Sequence, residues 1–200
     1  MVTEKEKMLK GLLYNPSDPD IRNEFIEAKR KVRLFNNTNE DELELRTSIL
    51  KSILGSMGKN AYIEPPFRCD YGKNIHVGDY FYANYNCVIL DAVPIHIGSY
   101  VLLGPNVGIY PINHPIDKDI RKIWVEYGQS IRIEDNVWIG GHVVINGGVT
   151  IGQGSIIGSG SVVTRDIPEN VIAAGNPCKV IRKITEEDKK FWENRYNLER

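Results

Sequence analysis

A histidine titrates near neutrality, so its ring can take a proton from a hydroxyl at physiological pH. The chain has four: His76, His96, His114 and His142. His76 and His96 each stand directly before an aliphatic residue of a repeating pattern, which turns them outward on strands. His142 falls at a bend. His114 differs, because it lies in an aperiodic stretch between Asn113 and Pro115, amid Asp117, Asp119, Arg121 and Lys122. Pro115 disfavours helix at His114 and helps to fix its presentation. Such a base needs a partner that sets its tautomer and supports the imidazolium. Glu126, where the stretch turns back, is the best carboxylate for that role, while Asp117 and Asp119 read as solvated loop charges.

A second group is basic and late: Arg165, Lys179, Arg182 and Lys183. It stands beside turns of small residues, Gly158-Ser159-Gly160 and Ala173-Ala174-Gly175-Asn176-Pro177. Small residues let a ligand approach the backbone, and Lys and Arg can then hold phosphates. Neither a Walker-type loop nor a dinucleotide fingerprint is present, which argues against ATP and NAD.

The elements that position these groups are set by a period of six. From Ile131 an aliphatic residue recurs at Ile133, Ile139, Ile145, Ile151, Ile157 and Val163. A smaller or β-branched residue stands two places earlier, at Ile131, Val137, Val143, Val149, Ser155 and Ser161. Residues two apart share a side of a strand, so each hexad offers two inward side chains and then a bend. Gly and Asn at the bends tolerate positive φ. Three such strands close a triangular coil of about eighteen residues, and stacked coils share one aliphatic column. The spacing predicts a mainly β chain: a left-handed parallel β-helix of hexapeptide repeats, with an N-terminal helical cap and a short C-terminal helix.

The expected divisions are a helical cap over 1–60, the β-helix over 61–184 and a helix and tail over 185–200. A loop at 111–130 is thrown out from one corner. Within the cap, helices are expected over about 3–13, 19–35 (capped by Ser17) and 40–54, the last ended by Gly55 or Gly58. They would cover the open end of the coil, where strand edges are unpaired. The repeats run in register through Tyr71, Val77, Ala83 and Ile89, and resume after a two-residue insertion at Ile97, Leu103 and Ile109. Loops as long as 111–130 in a compact fold are usually functional.

Hydrophobic content of 42% and a net charge of −1 suit an ordinary globular chain and give no global pull toward nucleic acid or membrane. Cys69, Cys87 and Cys178 form no even framework; the first two occupy small inward slots, where they pack. With no apolar run of spanning length and no leader pattern, a cytoplasmic location is expected.

Several stretches together resemble the galactoside and maltose O-acetyltransferases among the hexapeptide-repeat acyltransferases, nearly end to end. They are Ile63-Glu64-Pro65-Pro66-Phe67-Arg68-Cys69-Asp70-Tyr71-Gly72, Phe81-Tyr82-Ala83-Asn84, Asn113-His114-Pro115, Asn136-Val137-Trp138-Ile139-Gly140-Gly141 and Ala173-Ala174-Gly175-Asn176-Pro177. The repeat is shared by many acyltransferases; the Asp70-Tyr71-Gly72, Asn84 and His114-Pro115 set is more specific. Asp70, and the lead-in over 5–19, lean toward the maltose branch.

The resemblance implies a homotrimer with acetyl-CoA in a groove between adjacent β-helices, direct acetylation of a sugar hydroxyl, and no metal. His114 matches the catalytic base and Asn84 a residue near the acyl group and acceptor. Asp70, Tyr82 and Asp91 match the acceptor pocket. Gly141, Ser159, Thr164, Arg165, Lys179 and Arg182 match positions that contact coenzyme A. Asn15 stands where maltose-type sequences carry an acceptor-binding acid, and its amide is the expected replacement in the acceptor pocket; Ala92 stands where the galactoside type has a second acid. Those departures bear on which sugar is used, not on the transfer chemistry. Oxyanion donors are expected at the Gly140-Gly141 bend or in the Asn84 amide. The competing classes are a γ-class carbonic-anhydrase-like metal enzyme, which needs three converging imidazoles, and a non-catalytic β-helix scaffold.

Overall fold

The computed structural model describes residues 2–199; the expected outer limits at Met1 and Arg200 lie outside it. Hexads stack into a three-sided parallel β-helix. Face one carries Ser56–Met57, Ile75–Val77, Ile95–Ile97, Ile131–Ile133 and Thr150–Ile151. Face two carries Tyr62–Ile63, Tyr82–Ala83, Leu102–Leu103, Trp138–Ile139, Ile156–Ile157 and Val171–Ala174. Face three carries Arg68–Cys69, Val88–Ile89, Gly108–Tyr110, Val144–Asn146 and Val162–Val163. Each rung bonds to the next through the backbone, as in Trp138 N–H to Ser155 O at 3.0 Å and Gly140 N–H to Ile157 O at 2.8 Å.

The predicted column is the core. Ile133, Ile139, Ile145, Ile151, Ile157 and Val163 are all buried, together with Val137, Val143 and Val149 two places before three of them. Each buried aliphatic contributes about 1.5–3 kcal/mol relative to exposure. Ser155 and Ser161 occupy the same slots in the last coils. Their hydroxyls donate to Pro168 O and Gly158 O and accept from the N–H groups of Val171 and Gly175. Cys69 and Cys87 lie in this core, and burial pushes the Cys87 thiol up to about 11.

Bends recur at fixed places with φ near +60°. Asn60, Asn86, Asn106, Asn136 and Asn170 take them, as the repeat predicts, but so do Tyr80, Tyr100 and His142. Tyr80 and Tyr100 stack at 4.8 Å on successive coils, which offsets the backbone cost.

The cap departs from expectation in detail. The helices are α1 (Glu4–Leu9), α2 (Pro19–Asn36) and α3 (Leu43–Ile53). The first is shorter than 3–13 because Lys10 leaves helical geometry and Gly11 takes φ +69°. Asp18, not Ser17, caps α2, accepting from the Asp20 N–H at 3.1 Å; with Pro19 first in the helix, the capping residue is the one just before it. The third ends at Leu54, which turns extended, and Gly55 starts the approach to face one. Val32, Phe35, Leu50, Ile53 and Leu54 join the coil core, so the cap closes that end. The first paired strand, Ser56–Met57, begins ahead of the expected boundary at 61.

The far end also differs. Lys179–Lys183 forms an antiparallel strand against Val171–Ala174, where only a partial coil is expected. Asn176-Pro177 turns the chain back there, which replaces the next parallel rung. The last helix is Glu186–Leu198. No helix among the described residues is long and apolar enough to cross a membrane.

Candidate active site

The loop at 111–130 is more ordered than its sequence suggests. Ile112–Asn113 pairs antiparallel with Tyr127–Gly128, and α4 (Lys118–Arg121) forms its tip. Asp117 caps α4, accepting from Asp119 and Ile120 N–H at 3.0 and 2.9 Å, so it is structural rather than simply solvated. Asp119 holds Lys118 and Lys122 at 3.0 and 3.1 Å. The Arg121 guanidinium donates to the carbonyls of Pro115 and Ile116. Most of the loop's charge therefore braces the loop itself.

His114 follows the first of those strands. Its Nδ1 lies 3.2 Å from the carbonyl oxygen of Val125. A carbonyl only accepts, so Nδ1 carries the hydrogen and Nε2 keeps its lone pair. Nε2 is 3.9 Å from Oε1 of Glu126. The side chain is 44% exposed, enough for a substrate to reach it. Glu126 is held from behind: its Oε2 accepts the Tyr14 hydroxyl at 2.6 Å, and the two residues exchange backbone bonds at 2.9 and 3.1 Å. Tyr14 is 1% exposed, and burial followed by the Glu126 carboxylate pushes its phenol far above the ordinary range. It therefore stays a donor at any working pH. Sequence reasoning missed Tyr14, because nothing local links it to a partner 112 residues away. Tyr14→Phe removes a charge-assisted bond worth about 1–2 kcal/mol. The melting temperature should fall by roughly 3–6 °C, and turnover several-fold as Glu126 loosens; calorimetry and initial rates check both.

The other predicted residues divide between two edges of the prism. On the edge between faces three and one, with the His114 loop, stand Asp70, Asp91, Thr164 and Arg165. The Asp70 carboxylate pairs with Lys29 at 3.1 Å. Asp91 is fully buried, and its carboxylate accepts from the N–H groups of Asp70, Tyr71 and Asn74. It shapes the turn bearing Asp70. Asn15 is exposed, and its side-chain oxygen closes a local turn by accepting from Ser17 N–H at 3.0 Å. On the edge between faces two and three stand Asn84, Gly141 and Ser159. Tyr82 lies on face two, stacked on Tyr62, and Lys179 and Arg182 lie on that face's final strand. Arg182 is tied to Asp188 at 2.7 Å.

Asn84 accepts from Tyr85 N–H through its side-chain oxygen at 2.8 Å, which leaves its NH2 group as a donor. The Gly140 N–H is committed to Ile157 O, so it is withdrawn from the expected oxyanion donors. A whole face separates Asn84 from His114, and no contact joins them within one chain. His76 and His96 stack at 5.0 Å on face one, while His142 lies on the edge that bears Asn84. The three imidazoles do not converge. Among the described residues, no three His, Cys, Asp or Glu side chains group as metal ligands.

The model of the maltose acetyltransferase hexapeptide capping motif matches residues 7–58, and that of the bacterial transferase hexapeptide (six repeats) matches 130–165. The chain is 43% identical to galactoside O-acetyltransferase of Escherichia coli (strain K12), covering 97% of this chain and 96% of that protein. It is 54% identical to a maltose O-acetyltransferase from Clostridium difficile 630, with a TM-score of 0.91 over 92% of this chain and 98% of that one. A hexapeptide-repeat acetyltransferase from Vibrio cholerae O1 biovar eltor, solved with acetyl-CoA, is 39% identical at a TM-score of 0.85, covering 92% of this chain and 99% of that one. The chain belongs to the galactoside and maltose O-acetyltransferase family of hexapeptide-repeat acetyltransferases.

Proposed function

We propose that the protein moves an acetyl group from acetyl-CoA directly to a hydroxyl of a sugar, with His114 as general base. The observation that carries this reading is the ring's orientation: Nδ1 is fixed on the Val125 carbonyl, and Nε2 is left as a base beside the Glu126 carboxylate. Nε2 takes the hydroxyl proton as the sugar oxygen attacks the thioester carbonyl carbon. Glu126 faces the positive charge that develops on the ring. The tetrahedral oxyanion accepts from the Asn84 NH2 group. Its collapse expels the thiolate, which takes the proton back from the imidazolium, leaving the acetyl ester and free CoA thiol. No covalent intermediate is required. The buried thiols of Cys69 and Cys87 are both held protonated by desolvation.

The division of site residues supports a trimeric arrangement. The edge bearing His114, Thr164 and Arg165 has the base and a cation; the edge bearing Asn84, Gly141 and Ser159 has the amide donor and the small bends. One chain cannot fold these edges together, whereas rotation about an axis facing face three sets one edge of a copy against the other edge of its neighbour. Outward on that face stand Val88, Gly108, Val144 and Val162, with Arg68 at its cap end and Asn146 as the polar exceptions. The soluble test is thiol release from acetyl-CoA with maltose, glucose, galactosides and thiogalactosides. Release above the acceptor-free rate is expected with at least one; none with any acceptor would defeat the reading. Arg165→Ala should raise the Michaelis constant for acetyl-CoA about tenfold, through a lost phosphate contact, and leave that of the sugar unchanged. A change in the sugar constant alone would remove Arg165 from the coenzyme groove.

A further inference from the structure

Trp124 follows α4 with φ +62°, the left-handed position where a helix usually places glycine or asparagine. For a bulky residue this conformation is an outlier, and outliers cluster where function maintains them. The other such residues lie at coil bends. Five are asparagines, Tyr80 and Tyr100 stack on each other, and His142 meets the Asn106 amide at 3.4 Å. Trp124 has no such compensation among the described residues. Its side chain is in no ring contact, and it is 73% exposed. Its backbone is fixed by a bond from its N–H to Arg121 O at 3.1 Å, and the next residue, Val125, supplies the carbonyl that orients His114.

Trp124 and His114 line one hollow of about 480 Å³ with Lys118, Arg121 and Lys122. The three cations there are engaged with Asp119 or with loop carbonyls. What the hollow offers an incoming molecule is thus an exposed indole and a base. A π face is electron-rich and attracts polarised C–H groups, such as those on the flat side of a pyranose or the edge of an aromatic aglycone.

We propose that Trp124 is the stacking surface of the acceptor subsite, against which a flat face of the acceptor lies while its hydroxyl meets Nε2 of His114. This rests on the assignment of His114 as the base of a sugar acetyltransferase. It makes Trp124 a residue that sets acceptor specificity rather than coenzyme affinity.

The test uses Trp124→Gly, Trp124→Phe and Trp124→Leu, with maltose and 4-nitrophenyl β-galactopyranoside as acceptors. Glycine suits the backbone, so Trp124→Gly should melt at or above the parent temperature. It should raise the acceptor Michaelis constant roughly tenfold, with the constant for acetyl-CoA within twofold. Phe should recover most of the affinity and Leu little. An effect with both acceptors assigns the contact to the sugar ring; one confined to the nitrophenyl compound assigns it to the aglycone. Calorimetric titration of the same sugars, without turnover, reads the contact separately. If the parent protein binds them yet releases no thiol, the catalytic reading fails while weaker binding by Trp124→Gly still upholds the stacking. Unchanged acceptor binding, a shift in acetyl-CoA alone, equal rescue by Leu, or a lower assembled mass in Trp124→Gly would each overturn the proposal.

Discussion

Replacing His114 with alanine is expected to lower turnover at least a hundredfold while the melting temperature stays within a few degrees. General-base loss typically costs about 100- to 10,000-fold. The ring is 44% exposed and meets the Val125 carbonyl at 3.2 Å and the Glu126 carboxylate at 3.9 Å, so little of the fold depends on it. The loop keeps its own supports: the Ile112–Asn113 and Tyr127–Gly128 pairing, the Asp117 cap and the Tyr14–Glu126 bridge. Initial rates of thiol release at saturating acetyl-CoA and acceptor measure the loss, and a thermal scan of the same protein measures the stability. An unimpaired rate would take His114 out of the chemistry. A collapse of the melt would mean that the variant reports folding instead.

Most of the coil was readable because its constraint is local and repeated. Each inward position is fixed by its own hexad, so the register through Ile133, Ile139 and Ile145 could be read without knowing what lay above or below. The loop stood out for the opposite reason, since it broke the repeat. His114 and Glu126 were legible as residue types on that loop. Tyr14 was not, because its role exists only once the cap has folded against the loop. The antiparallel strand Lys179–Lys183 was equally hidden. All five of its residues are exposed, so no inward alternation marks it, and its pairing is purely a backbone matter. The Ser17 expectation failed on a finer point. Ser and Asp both cap helices, and only the place of Pro19 decides between adjacent candidates.

Asp91→Ala is expected to destabilise the protein by about 3 kcal/mol or more, a fall in melting temperature of roughly 6–12 °C. The side chain is fully buried and closes the Asp70–Asn74 turn. Oδ1 accepts from Asp70 and Tyr71 at 3.0 and 2.9 Å, and Oδ2 accepts from Asn74 at 3.2 Å. Alanine leaves all three N–H groups without this acceptor, those of Tyr71 and Asn74 in buried surroundings. Neighbouring Gly72 sits at φ +74° against the Ile53 carbonyl, so the turn cannot easily move to recruit new partners. Asp91→Asn keeps an acceptor for Asp70 and Tyr71 and should lose much less. The pair also separates shape from charge. Burial pushes the Asp91 carboxyl from 3.8 up to about 6, outweighing the N–H bonds that favour its ionised form, with Asp70 adding to the rise. The folded protein then holds this proton more tightly than the unfolded chain does. The contribution is fully present below about pH 4 and is lost as pH rises through about 6. At 1.36 kcal/mol per pH unit it amounts to about 3 kcal/mol. Chemical denaturation at pH 4 and at pH 7 should therefore show the wild type losing stability relative to Asp91→Asn over that interval. A constant difference between the two proteins would mean that the Asp91 carboxyl is not raised on folding and that the bonds from Asp70, Tyr71 and Asn74 balance its desolvation.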